Sequence, residues 1–513
     1  MTTMKFYITT PLYYVNGNPH IGHSYTNIAC DTLARFKRFE GYDVLFSTGT
    51  DEHGQKIKEA AKEKGMSPSQ FVDTVVPKFK DLWKELNISY DDFIRTTEKR
   101  HTDVVEKILD ELHKKGDLYE GEYSGWYCTP CESFWNESQL LEKMCPDCKR
   151  PVEQIKEKNF FFKLSKYQDW LIKYINSHED FILPRIRRNE MLSFLKEPLN
   201  DLCISRPKSR LSWGVRIPFS ENHVTYVWFD ALINYISVCG YGNAPGKFKK
   251  FWPADVHMIG KDILRPHTVY WPIMLHAAGL EIPKTVFAHG WWKIDKDKMS
   301  KSKGNVVDPH EMINRFGVEA YRYFLLREVS FGMDGSFSED LLVTRINSDL
   351  ANDLGNFLHR TLAMIDKYFG GKVPKRRKIS SCDELTKPII DKVGRLPQDM
   401  TSAMDKIDFS KALSVIWELV GLSNKFIEQK APWKLSKENK SDELKDMMYD
   451  LFEVLRIVSV ALSPFLPATS DEMANQLGLD PKKKRSLKDL SWGKAKSGTK
   501  VIKGKPLFPR IEK

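Results

Sequence analysis

The sequence predicts an α/β protein: a doubly wound parallel sheet, split by a metal-binding insertion and followed by an all-helical bundle. Three observations carry this. Short apolar runs at 6–9, 44–47, 256–259 and 286–289 each hand over to a loop rich in glycine, proline or histidine, as strands do when their carboxyl ends face a ligand. Four of the eight cysteines form two close pairs between the second and third of these runs. From about residue 345, Leu350, Leu354, Phe357, Leu358 and Leu362 recur at helical spacing.

Length and charge narrow the classes. A chain of 513 residues is too long for one core and suggests three or four domains. Its hydrophobic content of 41% is that of an ordinary globular protein, and its net charge of +11 favours a polyanionic partner, for which nucleic acid is the natural choice. No window approaches about 18 uncharged apolar residues, so no membrane span is expected. The opening residues run straight into a strand, without a signal-peptide core or an arginine-rich leader. Cys30, Cys203, Cys239 and Cys382 are isolated and expected to be free. Together these features point to a reducing compartment, the cytoplasm.

Residues 1–115 read as the first half of the sheet. After the first strand, a loop with Pro11, Gly17 and Pro19 leads to His20-Ile21-Gly22-His23. A helical pattern follows, with Tyr25, Ile28, Ala29, Leu33 and Phe36 on one face. A strand-to-helix turn exposes helix N–H groups to phosphate; Gly22 lets the backbone approach, and two histidines add donors. Alone, the pair reads equally well as satisfied surface histidines. The second strand leads to a loop at 48–54 that carries Asp51, and helices are expected near 55–65, 70–86 and 98–115.

Residues 116–225 change character. Cys128, Cys131, Cys145 and Cys148 have the spacing C-x2-C-x13-C-x2-C, with Pro130 and Pro146 shaping the turns. Four thiolates so placed suit tetrahedral zinc, and they fill its coordination, so the ion is structural. The alternative is a coincidence of four free thiols. The sheet then resumes over 226–290, with Gly260-Lys261-Asp262 after one strand and His289-Gly290 at the end of the next. A nucleotide fold of Rossmann type, split by a zinc-bearing connective insertion, is the economical reading. Residues 291–345 carry a lysine-rich loop and 346–513 a helix bundle, with helices expected at 383–397, 408–428 and 440–463 and a tail that folds back. The stretch 242–247 resembles a P-loop but is one residue short, and Phe248 replaces the required hydroxyl.

The lysine-rich loop is Asp297-Lys298-Met299-Ser300-Lys301-Ser302-Lys303-Gly304. Alone it is a solvated charge run. Paired with the upstream His-Ile-Gly-His element, it resembles the two signature motifs of class I aminoacyl-tRNA synthetases. Over nearly the whole chain the resemblance is to the methionyl-tRNA synthetase family, carried also by the segments at 10–17, 227–235, 356–360 and 431–433.

That resemblance implies ATP binding by His20, Gly22, His23 and Asp262, with Lys298 and Lys301 closing on the leaving pyrophosphate. It implies a methionine pocket of Leu12, Tyr14, Trp228, Ala231, Leu232, Tyr235 and His289, with Asp51 on the α-ammonium. A thioether offers only a weak acceptor and apolar surface, which suits this aromatic and aliphatic set. Asn356, Arg360 and Trp433 are implied as anticodon contacts; Asn356 and Arg360, four apart, would share a helix face. The implied partners are ATP with Mg2+, L-methionine and tRNA(Met), with no DNA and no membrane. No carboxylate cluster dedicated to Mg2+ is visible. The chain stops at Lys513 without the appended tRNA-binding and dimerising domain of many relatives, which makes a monomer the expectation.

The rivals are weaker. A cysteine-specific class I enzyme would place zinc in its substrate pocket, whereas here all four ligands share one ribbon. A non-catalytic RNA-binding relative would have no need of intact His20, His23, Lys298 and Lys301. A zinc-ribbon DNA-binding protein leaves both ATP motifs unexplained.

Overall fold

The computed structural model describes residues 4–129, 131–135, 137–146, 148–294, 297–298, 307–377 and 384–512. The chain divides into two compact units. One comprises Lys5–Cys30 and Val44–Gly290; the other comprises Met1–Met4, Asp31–Asp43 and Trp291–Lys513.

The first unit is built on a seven-stranded sheet. Strands β1 (Lys5–Thr9) and β2 (Tyr13–Tyr14) precede helix α1 (Ile21–Glu40), and β3 (Asp43–Asp51) follows it. Next come α2 (Gln55–Glu63), α3 (Pro68–Glu85), β4 (Asp92–Arg95) and α4 (Lys99–Lys114). From β1 the sheet grows one way through β3 to β4 and the other way through Val256–Gly260 and Thr285–His289. The strands pair in parallel at β1 with Val256–Gly260, at Val256–Gly260 with Thr285–His289, and at β3 with both β2 and β4. The strand order therefore reverses between β1 and Val256–Gly260, where Ile8 pairs with Val256 and Thr9 with His257. Ligands of open α/β sheets bind at such a reversal, beyond the strands' carboxyl ends.

Local chemistry explains the elements. In β1, Phe6, Tyr7, Ile8 and Thr9 are all buried, as in a parallel strand covered on both faces. Along α1, Tyr25, Ile28, Ala29, Leu33 and Phe36 are buried, but so are Ser24, Thr26, Asn27, Asp31 and Thr32, so the helix is covered well beyond the one face its spacing predicts. β3 runs on to Asp51, beyond the apolar run at 44–47 and through much of the expected loop. Its threonines are satisfied inside: Thr10 donates to Thr48 Oγ1 at 2.8 Å, and Thr50 donates to Glu52 Oε1 at 2.6 Å.

The inserted stretch forms a long antiparallel ribbon. β5 (Leu118–Cys128) pairs with β7 (Glu153–Phe162) from Leu118↔Phe162 to Tyr127↔Glu153. The short β6 (Ser133–Trp135) pairs with β5 at the tip. The stretch 116–225 is not wholly separate from the sheet: β8 (Ile182–Leu183) pairs in parallel with Thr285–His289. Phe181 and Ile182 are buried there, but an apolar run this short before Pro184 carries little strand signal in sequence.

The second unit is mainly helical, with Val318–Arg327, Asn356–Phe369, Lys387–Asp405, Phe409–Lys430 and Ser441–Leu462 among its helices. The helix expected to end at 397 continues to Asp405 through Pro397. Ile389, Val393, Leu396, Met400 and Met404 form a buried stripe along it, and that packing outweighs the hydrogen bond lost at proline. Arg322 donates to Asp31 Oδ2 at 2.7 Å, both fully buried. The tail folds back: Val373 donates to Thr499 O at 2.9 Å, and Tyr449 donates to Ala495 O at 2.9 Å. Cys382 lies outside the described residues.

Candidate active site and metal centre

The two histidines meet at the start of α1. Their rings stack with centroids 3.7 Å apart. His20 N–H donates to His23 Nδ1 at 3.2 Å, and Gly22 N–H donates to His20 Nδ1 at 3.1 Å. Both Nδ1 atoms act as acceptors, so in the neutral rings each Nε2 carries the proton. A Cβ on Gly22 would stand 3.0 Å from His20 Cε1, which explains the glycine. Across the strand-order reversal, Gly260 ends its strand and Asp262 follows; a Cβ on Gly260 would lie 2.7 Å from Asp262 Oδ1. Asp262 is exposed.

Leu12, Tyr14 and Trp228 are half-buried and rest on one core that includes Leu232 and Tyr235; Ala231 is also buried. Tyr235 lies 2.7 Å from His267 Nε2 through its hydroxyl. His267 Nδ1 faces Ile263 O at 2.8 Å and so holds its proton there, leaving Nε2 to accept from Tyr235. The Trp228 ring meets His267 edge-on at 6.5 Å. Burial pushes His267 down to about 4 and holds it neutral. Sequence reading passed over His267, since a lone histidine on a helical turn carries no motif. His289, expected on methionine, is engaged with α1: its Nε2 lies 2.7 Å from Thr26 Oγ1, and its ring is edge-on to Tyr25.

Asp51 is buried at the end of β3, and its Oδ1 has no hydrogen-bond partner among the described residues. Burial pushes its carboxyl well above the usual range, and the charges of Asp230 and Glu132 push the same way. An arriving cation would relieve that. Asp230, between Trp228 and Ala231 in helix Val227–Leu232, behaves oppositely. Burial alone would raise it, but His53 and His101 outweigh burial and hold it down at about 2. His53 Nδ1 and His101 Nε2 each stand 2.7 Å from its oxygens.

At the ribbon tip, the sulfurs of Cys128, Cys131, Cys145 and Cys148 all lie within 4.8 Å of one another, with two pairs at 3.5 and 3.9 Å. A tetrahedral zinc with Zn–S bonds of about 2.3 Å places sulfurs about 3.8 Å apart, so the donor set fits such an ion. Pro130, expected to shape the first turn, lies outside the described residues. So does the lysine-rich loop from 299 to 306, including Lys301; of Lys298 only the backbone is described, as the end of the strand Asp297–Lys298.

In the helical unit, Asn356 opens the helix Asn356–Phe369 and is exposed. Arg360, one turn on, pairs with Glu428 at 2.7 Å. Trp433 is 41% exposed on the short helix Pro432–Lys437.

Comparison with known proteins places the chain in a family. The family described as tRNA synthetases class I (M) matches residues 6–154 and 150–362, and the anticodon-binding domain of tRNA ligase matches 387–504. A methionine–tRNA ligase of Caldanaerobacter subterraneus is 55% identical over 509 residues, covering 99% of this chain and 79% of the relative. That of Clostridium tetani is 53% identical over 516 residues, covering 100% of this chain and 79% of the relative. A methionyl-tRNA synthetase structure from Mycobacterium tuberculosis, in complex with methionyl-adenylate, superposes with a TM-score of 0.95 at 39% identity. That match covers 99% of this chain and 100% of the other. The chain belongs to the methionyl-tRNA synthetase family of class I aminoacyl-tRNA synthetases.

Proposed function

We propose that the chain is a methionine–tRNA ligase that activates methionine with ATP and transfers it to tRNA(Met). The observation that carries the substrate assignment is Asp51: a buried carboxylate with an unpartnered oxygen, at the strand end beside the core that bears Leu12, Tyr14 and Trp228. A desolvated carboxylate is the natural partner of an α-ammonium. The apolar residues Leu12, Trp228, Ala231, Leu232 and Tyr235 suit a thioether side chain, and Tyr14 and His289 supply polarity around it.

In the first step a methionine carboxylate oxygen attacks the α-phosphorus of ATP. The α–β bridging bond breaks, and pyrophosphate leaves. The nucleophile is already ionised, so no general base is required, and positioning and charge stabilisation supply the rate. His20 and His23 donate from Nε2 to phosphate oxygens, Gly22 admits the nucleotide, and Asp262 accepts from the ribose hydroxyls. Lys298 and Lys301 close on the pyrophosphate as its charge develops. Mg2+ bound with ATP neutralises phosphate charge. In the second step a terminal ribose hydroxyl of the tRNA, the 2′ in class I, takes the methionyl group and AMP leaves.

Trp433 offers a stacking face for an unpaired anticodon base, and Asn356 and Arg360 offer groups for base edges. The four cysteines hold one structural zinc. The working compartment is the cytoplasm, where metal-binding thiols stay reduced. No described helix is long and apolar enough to cross a membrane.

Amino-acid-dependent ATP–pyrophosphate exchange, across all twenty amino acids and without tRNA, tests this. Exchange with methionine alone is expected. Exchange with a different amino acid would overturn the pocket, and none at all from folded, metal-loaded protein would overturn the activity.

A further inference from the structure

We infer that Glu132, a residue of the cysteine knuckle that is not a ligand, is a positioning residue of the methionine pocket. The inference rests on the pocket reading above.

Glu132 directly follows Cys131 yet points away from the sulfur cluster. Its backbone adopts φ +48°, a left-handed conformation that a glutamate takes up only when its surroundings require it. That turn sends a buried carboxylate to the Tyr14 hydroxyl. Its Oε1 lies 2.7 Å from the Tyr14 hydroxyl and accepts the Lys56 N–H at 2.9 Å. Lys56 is the second residue of α2, so the carboxylate also caps that helix. A Cβ on Gly54 would lie 2.6 Å from both carboxylate oxygens, so Gly54 makes the room that Glu132 fills. The Tyr226 hydroxyl donates to the Glu132 carbonyl and anchors the backbone from the side of helix Val227–Leu232. Tyr14 also reaches His53 O at 2.8 Å. One side chain thus ties the knuckle to Tyr14 and to the start of α2. Its work is to hold the Tyr14 hydroxyl at a fixed place in the pocket wall.

The test uses the full chain with its metal. Glu132→Ala, Glu132→Gln, Tyr14→Phe and Trp228→Ala are compared for the methionine KM, the ATP KM and kcat in pyrophosphate exchange, with bound zinc counted by atomic absorption. Glu132→Ala is expected to raise the methionine KM by about 10- to 100-fold, the range for losing hydrogen bonds to a buried charge. The ATP KM and zinc content should stay unchanged. Glu132→Gln, which keeps an acceptor, should recover part of that loss. Tyr14→Phe should add little on top of Glu132→Ala, because both remove one interaction. An unchanged methionine KM in Glu132→Ala, a parallel rise in the ATP KM, or loss of zinc would each overturn the positioning role. If Trp228→Ala also leaves the methionine KM unchanged, the pocket reading itself falls; if Trp228→Ala raises it and Glu132→Ala does not, only this inference falls.

Discussion

His101 Nε2 stands 2.7 Å from Asp230 Oδ1, with both side chains fully buried, while His53 Nδ1 stands 2.7 Å from Oδ2 of the same carboxylate. The carboxylate sits on the helix Val227–Leu232 that also carries Trp228 and Ala231, so the pair fixes that helix. Removing the charge leaves two buried ring donors without their acceptor. Asp230→Asn should destabilise the first unit by about 3 kcal/mol, as when one partner of a buried pair is lost, and should raise the methionine KM. The sign of the pH effect follows from a carboxyl held down at about 2. Its stabilisation is present above the ordinary aspartate value and is lost as pH falls toward 2. Thermal melts of the two proteins should therefore converge in acid.

Asp51 predicts a pH dependence of the same sign for binding. Its carboxyl sits above the usual range because burial and the neighbouring acids Asp230 and Glu132 disfavour its charge. Methionine's α-ammonium needs the ionised form. Methionine affinity should thus rise with pH until Asp51 is fully ionised in the empty pocket, then level off. Calorimetric titration across pH reads this directly. Asp51→Asn should weaken binding by roughly 100-fold, the scale of a charge-assisted bond lost in a buried site, and should flatten the pH dependence.

Two buried histidines set an acid limit on stability. Burial holds His257 well below its usual value, with the charge of His267 adding to this, and holds His267 down to about 4. His257 Nε2 accepts from Trp271 Nε1 at 3.2 Å, an arrangement that needs the neutral ring. Unfolding lets both take up protons, so stability is full above about pH 6.5 and falls below it. The slope is about 1.4 kcal/mol per pH unit for each ring. Melting temperatures from pH 7 to 5 should drop accordingly, and His267→Gln should make the drop shallower.

Metal removal should loosen the ribbon tip before the sheet. The four sulfurs are within tetrahedral reach of one ion, and structural zinc contributes folding energy outright. Cys145→Ser should lower bound zinc from about one per chain toward zero. Hydrogen exchange should then quicken first over the described residues at 128–150 and at the start of α2, with the β1–Val256 core still protected.

What could be read in the chain was whatever is written locally. The histidine pair at the start of α1, the doubled cysteine spacing and the helical leucines declare themselves within a few residues. Contacts that close the pocket do not. Tyr14 and Glu132 are 118 residues apart, His53 and Asp230 are 177, and Tyr235 and His267 are 32. No spacing rule links such partners; only the folded sheet does. The same holds for β8, too short to signal a strand, and for β3 beyond Ser47, where buried threonines replace the apolar residues that a strand is read from. Pro397 misled because a local rule met a tertiary stripe strong enough to override it.

The ladder between β5 and β7 has a consequence of its own. Its ten paired positions, from Leu118↔Phe162 to Tyr127↔Glu153, form a ruler between the body of the first unit and the knuckle. Each residue on it is worth about 3.4 Å. Lengthening both strands by a single residue would carry Glu132 beyond hydrogen-bond reach of Tyr14 and turn alternate side chains to the opposite face. Among homologues, insertions and deletions should therefore collect between β6 and Cys145 and spare the ribbon, whose length is a calibrated distance.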